Sequence, residues 1–527
     1  MVPKPVVHAL SRQHYCPGMT NRDLTSVLTD TEALPADDRF DLLHELREHP
    51  DLESATGEMA DRACRLLAAS GDPSDLPAVA RLSLEAHQTG LNGAGLIHAE
   101  ASDKIALYSG RPQLYGTVML EHQGDIVQPL VDKRVSDAER AELGVPSLEE
   151  LQRRMTALSR QRAIDRAGQP GWLPDGQRFC RVWTDPTPVR VRARMEAEGT
   201  SAWADGDVIT FVAESAEPVT VTPTFPIESW GIGDGLQVLS LRVERLDEAV
   251  ITYTFTPTNG TASMNFARGS HDGRFRGRNA PPELASNDPL LGSTIEHAIE
   301  SESLQAPRRV TVYRPPGHSS GDDVPVLYAT DGNMFAPYAR RLDAAIEAEV
   351  CPPVVIVSAH SAAFDPVLGN LRAAEYLPGF NDQVYEAHQK FFIEELSAWA
   401  ESTLGVSSNP SMRGVWGCSD GGGHAAMVAR LYPNRFGHAF VYSTGMPPDL
   451  QFDWSADHPM VHLCAGTLEG AFHQATEAWA GYLMLAGADY HFTERVAGHD
   501  LVQWAEELPN AIDRAWGSLS VGSPAVG

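Results

Sequence analysis

Gly417-Cys418-Ser419-Asp420-Gly421 sets a hydroxyl between two glycines at a spacing suited to attack on a carbonyl carbon. Upstream, 412–416 reads as a short buried strand; downstream, the small residues of 422–432 read as a helix packed closely on a sheet. A serine on so sharp a strand-to-helix turn has its hydroxyl pushed out above the sheet edge, and the flanking glycines relieve the crowding. The N–H groups that open the helix point at any negative charge forming beside that hydroxyl. The chemistry this suits is acyl transfer.

Gly-x-Ser-x-Gly arises often by chance, so its weight depends on what accompanies it. A serine hydroxyl needs a base to take its proton, and the base needs a partner to fix its tautomer. His499, in the turn Val496-Ala-Gly-His-Asp500, precedes an amphipathic helix and is the candidate base. Glu469, in the turn after an apolar run ending at Cys464, is the candidate acid, with Asp489 and Asp500 as weaker alternatives. The chain order Ser, acid, His is that of α/β-hydrolases. An oxyanion hole needs two backbone donors. The N–H of Asp420 supplies one, and the loop Ala329-Thr-Asp-Gly-Asn-Met334 after an early strand supplies the other, at Asn333 with Gly332 next in line.

Other reactive side chains read as structural. Cys418 faces the sheet by alternation, His424 points inward from the elbow helix, and His473 and His491 lack metal-ligand spacing with carboxylates. His98 and Asp103 admit a second site or an ordinary helical face.

These residues must be positioned by the elements around them. From 305 onward apolar β runs (310–313, 324–328, 354–358, 414–416, 438–442, 461–464) alternate with helical stretches (336–349, 385–404, 474–485). That alternation predicts a mostly parallel sheet covered by helices on both faces, with chemistry at the carboxyl ends of its strands. Between 177 and 257 the period is two, with β runs at 189–194, 208–213, 219–223, 239–244 and 250–255, which predicts a small β-sandwich. A linker rich in Gly, Arg, Asn and Pro is expected at 259–287. Residues 21–109 carry helical spacing, and 148–164 form a basic amphipathic helix. The expected domains are thus 1–168, mainly helical; 177–290, sandwich plus linker; and 300–520, α/β.

Composition narrows the partners. The net charge of −29 argues against nucleic acid and anionic membrane surfaces, both of which need a basic face. No run of 18 apolar residues exists to span a bilayer, and the first 16 residues lack a signal-peptide pattern. The six cysteines are scattered without C-x-x-C spacing, as expected of free thiols in the cytoplasm. No metal or organic cofactor is expected, and nothing in the sequence sets an oligomeric state.

The motifs Tyr313-Arg-Pro-Pro-Gly317, Pro325-Val-Leu-Tyr328, Asp331-Gly332, Arg372-Ala-Ala-Glu-Tyr376, Glu395-Leu396, Gly417–Gly421, Tyr432-Pro-Asn-Arg-Phe-Gly437 and Gly498-His-Asp500 occur in this order. Over about 305–520 the chain resembles the enterochelin esterase / esterase D-type family of α/β-hydrolases, which also resembles the mycolyltransferases. An N-terminal β-sandwich accompanies the enterochelin esterases, and 177–257 resembles it weakly. The resemblance implies Ser419 as nucleophile, His499 as base, Glu469 as acid, Asn333 and Asp420 as oxyanion donors, and Arg372 or Glu375 beside the substrate pocket. Two departures touch the pocket rim: Ala329-Thr330 replaces an aliphatic pair, and Asp420 stands where an apolar residue is frequent. Separately, Gln113-Leu-Tyr-Gly-Thr117 with Val131, Arg140 and Leu143–Pro146 resembles an uncharacterised bacterial helical family.

The expected function is a serine carboxylester hydrolase acting on a small-molecule ester, with a siderophore or other natural-product ester implied by the resemblance. An acyltransferase on the same fold, or a silent scaffold whose helical domain binds a partner, are the alternatives.

Overall fold

The computed structural model describes residues 22–35, 38–122, 125–258, 273–319, 324–362, 370–451, 454 and 457–520. Cys16, the N-terminal segment read for a signal, and 259–272 of the expected linker lie outside them. The chain divides into two compact units, Met1–Asp165 and Arg166–Gly527.

The first unit is helical: α1 (Leu24–Ala33), α2 (Phe40–Arg47), α3 (Gly57–Ser70), α4 (Leu76–Gln88) and α5 (Ala94–Tyr108), then the ribbon β1 (Leu120–His122) and β2 (Asp125–Val127), then α6 (Asp137–Glu142) and α7 (Leu148–Ala167). Leucine, valine and alanine at helical spacing fill its core, Val27, Leu28, Leu46, Ala63 and Leu82 among them. Its sequence motif resolves into a fold device. Asp103 on α5 is fully buried, and its carboxylate accepts the N–H groups of Leu114 (2.6 Å), Tyr115 (2.8 Å) and Thr117 (2.7 Å) and the Thr117 hydroxyl (2.7 Å). Four donors on one carboxylate offset its desolvation. The Gln113 carboxamide closes the same loop, accepting from Val118 N–H (2.8 Å) and donating to Val118 O and Pro129 O. Arg140, 1 % exposed, donates to Tyr115 O and Val135 O. His98 Nδ1 lies 2.7 Å from Ala80 O. The Asp103 carboxylate is thus occupied by the loop's own donors, and one ring nitrogen of His98 lies on a backbone carbonyl.

The second unit opens with an antiparallel β layer: β3 (Phe179–Val182), helix α8 (Pro188–Glu198), β4 (Ala202–Asp205), β5 (Val208–Glu214), β6 (Val219–Pro223), β7 (Phe225–Glu228), β8 (Trp230–Gly233), β9 (Leu236–Val243), β10 (Val250–Pro257) and β11 (Gly273–Arg276). One sheet runs β3-β9-β5-β4 with β8 on β9, the other β11-β10-β6-β7. Phe179, Phe211, Phe225, Leu241, Ile251 and Tyr253 form the core of this layer. Two expectations are corrected. Residues 189–194 form α8, not a strand: Pro188 occupies the first turn, Arg-Ala-Arg-Met-Glu-Ala-Glu continues with helix formers, and Gly199 ends it at φ 63°. And β11, inside the expected linker, pairs with β10 from Val250↔Arg276 to Tyr253↔Gly273.

The α/β part follows, with β12 (Ser293–Ile299), β13 (Arg308–Arg314), β14 (Val326–Ala329), α9 (Ala336–Glu347), β15 (Val355–Ala359), α10 (Leu371–Tyr376), α11 (Asp382–Lys390), α12 (Ser397–Leu404), β16 (Arg413–Cys418), α13 (Asp420–Leu431), β17 (His438–Tyr442), β18 (Met460–Gly466), α14 (Ala471–Leu485), β19 (Tyr490–Arg495) and α15 (Leu501–Ser520). The eight strands run in the order β12-β13-β15-β14-β16-β17-β18-β19; β12 and β13 are antiparallel, and from β15 to β19 all pairing is parallel. Apolar side chains bury on both faces, Val326, Val357, Val415 and Val441 on one and Leu327, Ile356, Trp416 and Phe440 on the other. Near-continuous burial of this kind is what a parallel sheet covered on both sides requires. This is an α/β-hydrolase-like fold.

Candidate active site

Strand order and register gather the sequence candidates at one edge. Ser419, Glu469 and His499 follow β16, β18 and β19, and Asn333 follows β14, the other neighbour of β16. At the strand ends the backbone bonds continue outward: Thr330 N–H to Trp416 O (3.2 Å), Ser419 N–H to Tyr442 O (3.0 Å), Ser443 N–H to Cys464 O (2.7 Å) and Leu468 N–H to Ala497 O (3.1 Å).

Ser419 has φ 60° and ψ −124°, a conformation that costs energy for any residue with a side chain and persists only where the surroundings enforce it. The neighbouring glycines are required by contact rather than by local freedom. A Cβ on Gly417 would strike the carbonyl of Gly421, and one on Gly421 would strike the Thr330 hydroxyl. The elbow is therefore packed directly against the loop that carries Asn333.

Both candidate oxyanion donors sit where a backbone donor is left over. Asp420 opens α13, and Asn333 lies in the single turn Gly332–Met334. Among the described residues no protein group accepts from the N–H of either. Such unpaired donors at the start of a helical turn favour a negative charge in front of them. The Asn333 side chain is turned elsewhere, accepting from Ser361 N–H (3.3 Å) and Oγ (3.1 Å).

Glu469 is the carboxylate on the imidazole: its Oε2 lies 2.8 Å from His499 Nδ1. Its side chain has no solvent exposure, against 11 % for His499. The other oxygen, Oε1, accepts from Ser443 Oγ (2.8 Å), Gly466 N–H (2.5 Å) and Gln503 Nε2. Ser443 in turn accepts from Trp504 Nε1 at 2.7 Å. A fully buried carboxylate held by this many donors is fixed in place. His499 is boxed by rings, Phe472 stacked on it with centroids 3.9 Å apart and Trp504 edge-on at 4.8 Å. Sequence reasoning missed Ser443, Phe472, Gln503 and Trp504. Only Ser443 left a signal, standing after β17 as Ser419 stands after β16.

The alternative acids lie elsewhere. Asp489 precedes β19 at the amino end of the sheet. Asp500 is buried, accepting from Thr252 Oγ1 (2.9 Å) and from Val502 and Gln503 N–H, and burial raises its carboxyl to about 6.

Arg372 and Glu375 on α10 are engaged by protein. Arg372 spans both donor loops: Nε and Nη2 contact Asp331 (2.7 and 2.8 Å), Nη1 contacts Asp420 (2.6 Å), and Nη2 reaches Cys418 O (3.3 Å). The unusual Asp420 thus shares the Arg372 counter-ion with Asp331. Glu375, 3 % exposed, pairs with Arg308 and accepts from Ala362 N–H (2.9 Å). Cys418 is buried against the Tyr338 hydroxyl, and burial pushes its thiol well above the ordinary range, away from nucleophilic use. His424 is fully buried against Tyr376, His388 and Phe392, and burial keeps it neutral.

Among the described residues no group of three or more His, Cys, Asp and Glu side chains could hold a metal ion, and no helix is long and apolar enough to cross a membrane.

Residues 301–515 match the family model described as "Putative esterase". No curated protein matches the chain significantly in sequence. Among solved structures, the enterobactin esterase from Shigella flexneri, crystallised in the presence of enterobactin, is 18% identical over 61% of this chain and 98% of its own, with a TM-score of 0.47. The ferric enterobactin esterase of Salmonella typhimurium is 18% identical over 62% of this chain and 99% of its own, with a TM-score of 0.48. A ferulic acid esterase from Anaeromyces mucronatus is 14% identical over 43% of this chain and 92% of its own, with a TM-score of 0.36.

Proposed function

Starting from an esterase-family domain over residues 301–515, we propose a serine carboxylester hydrolase that works through an acyl-enzyme on Ser419. The observation that carries this reading is the buried Glu469 carboxylate 2.8 Å from Nδ1 of His499, in loops that follow β18 and β19 at the same edge of the sheet as the elbow serine after β16. With Nδ1–H donating to Glu469, the tautomer leaves Nε2 as the acceptor for the Ser419 proton. Ser419 Oγ then attacks the ester carbonyl, and the N–H groups of Asn333 and Asp420 receive the oxyanion. Each such donor is worth about 3–4 kcal/mol in the transition state. The imidazolium, steadied by Glu469, returns the proton to the departing alcohol, and water repeats the sequence to free the acid.

Arg372 and Glu375 position the rim rather than touch the substrate, since their charges are already met within the protein. Arg340, on α9, is likewise engaged, pairing with Asp288 at 3.1 Å. Two carboxylates at the rim and an overall charge of −29 favour an uncharged natural-product ester over an anionic catecholate siderophore. The free buried thiols Cys64, Cys180, Cys351, Cys418 and Cys464 support a reducing, cytoplasmic setting.

The test is labelling with a fluorophosphonate probe, alongside turnover of p-nitrophenyl butyrate. Ser419→Ala is expected to abolish both, and Glu469→Gln to lower kcat by roughly 10³–10⁴ with KM little changed. Labelling that persists in Ser419→Ala, or full activity in His499→Ala, would sink the reading. Free acid exceeding transesterified product when alcohols are added separates hydrolysis from acyl transfer.

A further inference from the structure

The loop that carries His499 is held by the β layer as much as by the sheet it leaves. Val250 N–H, on β10, donates to Val496 O at 2.9 Å, and Val250 bridges Ala497 in parallel. The backbone at Gly498 lies so close to Thr224 that a Cβ there would collide with the threonine hydroxyl. Thr252, also on β10 and fully buried, donates its hydroxyl to Asp500 Oδ2 at 2.9 Å across 248 residues of chain. The second oxygen of Asp500 caps α15, accepting from Val502 N–H (2.8 Å) and Gln503 N–H (3.2 Å). Leu468 and Val496, one in the acid loop and one in the base loop, bury their side chains in the core of the β layer.

We propose that Thr252, acting through Asp500, is a positioning residue for His499, and that the β layer is thereby a working part of the esterase rather than an appendage. The proposal rests on the reading of His499 as general base. Asp500 is the next residue along the chain, so its Cα lies about 3.8 Å from that of His499, and any turn of the intervening peptide swings the imidazole. The hydroxyl of Thr252 is the side-chain donor on Oδ2. Without it a buried carboxylate oxygen loses its partner, and the carboxylate can rotate away from the helix cap to seek another. Displacing a catalytic group by about 1 Å costs on the order of a hundredfold in rate. Thr252 and Asp500 are both buried from solvent, so the expected effect is on kcat rather than on substrate binding.

Full-length Thr252→Val, Thr252→Ser and Thr252→Cys would be compared with wild type at pH 8, with active sites counted by fluorophosphonate end-point labelling. Thr252→Val is expected to lower kcat per active site by about 10- to 100-fold with KM within twofold, and to slow labelling in parallel. Thr252→Ser restores the hydroxyl and should return kcat to within threefold. Thr252→Cys, a weak donor of nearly the same size, should fall between and serves if the valine variant does not fold. Melting temperature is recorded for each. A valine or cysteine variant that melts earlier but keeps wild-type kcat per labelled site, or that changes KM alone, overturns the proposal. Full activity in His499→Ala would instead remove the reading beneath it.

Discussion

The ring of Phe472 lies on the imidazole of His499, centroids 3.9 Å apart and planes 29° from parallel. Phe472 sits in the first turn of α14, just after the loop that carries Glu469, so acid and ring cover come from the same stretch of chain. In the proposed mechanism His499 becomes cationic in the transition state, and an aromatic face beside it stabilises the charged form. Stacking of this kind is worth about 0.5–1.5 kcal/mol beyond area burial. Phe472→Leu, which keeps an apolar cover without a π face, is expected to lower kcat/KM by roughly three- to tenfold, and Phe472→Ala by more. Steady-state kinetics of the two variants checks this; equal rates for leucine and phenylalanine would show that the ring only fills space.

Ser443 is the hinge of a relay from Trp504 to Glu469. Ser443→Ala leaves the Trp504 N–H buried without its acceptor and removes one of three donors from Glu469 Oε1. The expected cost is about 1–3 kcal/mol of stability, with a smaller loss in kcat because Gly466 N–H and Gln503 remain. Urea unfolding beside kinetics measures both. Ser443→Thr should retain most of each.

Arg372 holds two carboxylates apart, Asp331 on one donor loop and Asp420 on the other. Arg372→Met leaves both partly buried charges without their partner, a change that costs about 3–5 kcal/mol when burial is complete and less here, where the guanidinium is 22 % exposed. Since the loops carry the proposed oxyanion donors, kcat should fall by about 10² while KM changes little. Arg372→Lys cannot bridge both acids and should recover only part. A wild-type kcat in a folded Arg372→Met variant would refute the coupling.

Acid should unfold the second unit early. His388, His424, His438 and His462 are buried, and burial holds them neutral, His388 down to about 3 and His438 to about 4. Below the ordinary value of 6.5 the unfolded chain binds protons that the folded protein refuses, so stability falls with pH by about 1.4 kcal/mol per unit per imidazole. Asp500 works the other way. With burial raising it from 3.8 to about 6, the folded protein keeps a proton in that interval that the unfolded chain has lost, so acidification favours folding there. The imidazoles outnumber it, and the melting temperature is expected to drop from pH 7 to pH 5. His388→Leu should flatten that slope and Asp500→Asn should steepen it, as read by calorimetry across the range.

By itself, the sequence determined the elements whose signature is local. The strand-to-helix elbow shows in Gly417–Gly421 because the glycines are demanded by contacts within a few residues and one neighbouring loop. The parallel sheet shows in the alternation of apolar runs and helices, because burial on both faces removes polar residues from every strand. Tertiary structure decided what depends on distant chain. Which acid meets His499 turned on side-chain direction at a strand end, where Glu469 and Asp500 both lie within reach of the loop. The helix at 189–194 was itself locally written, in Pro188 and Gly199, and the spacing of Val189 and Val191 concealed it. The Gln113–Thr117 motif marked a loop without showing that Asp103 holds it, and the Thr252–Asp500 tie left no pattern, since a buried carboxylate accepts whichever donors the fold brings to it, from 11 residues away in one case and 248 in the other.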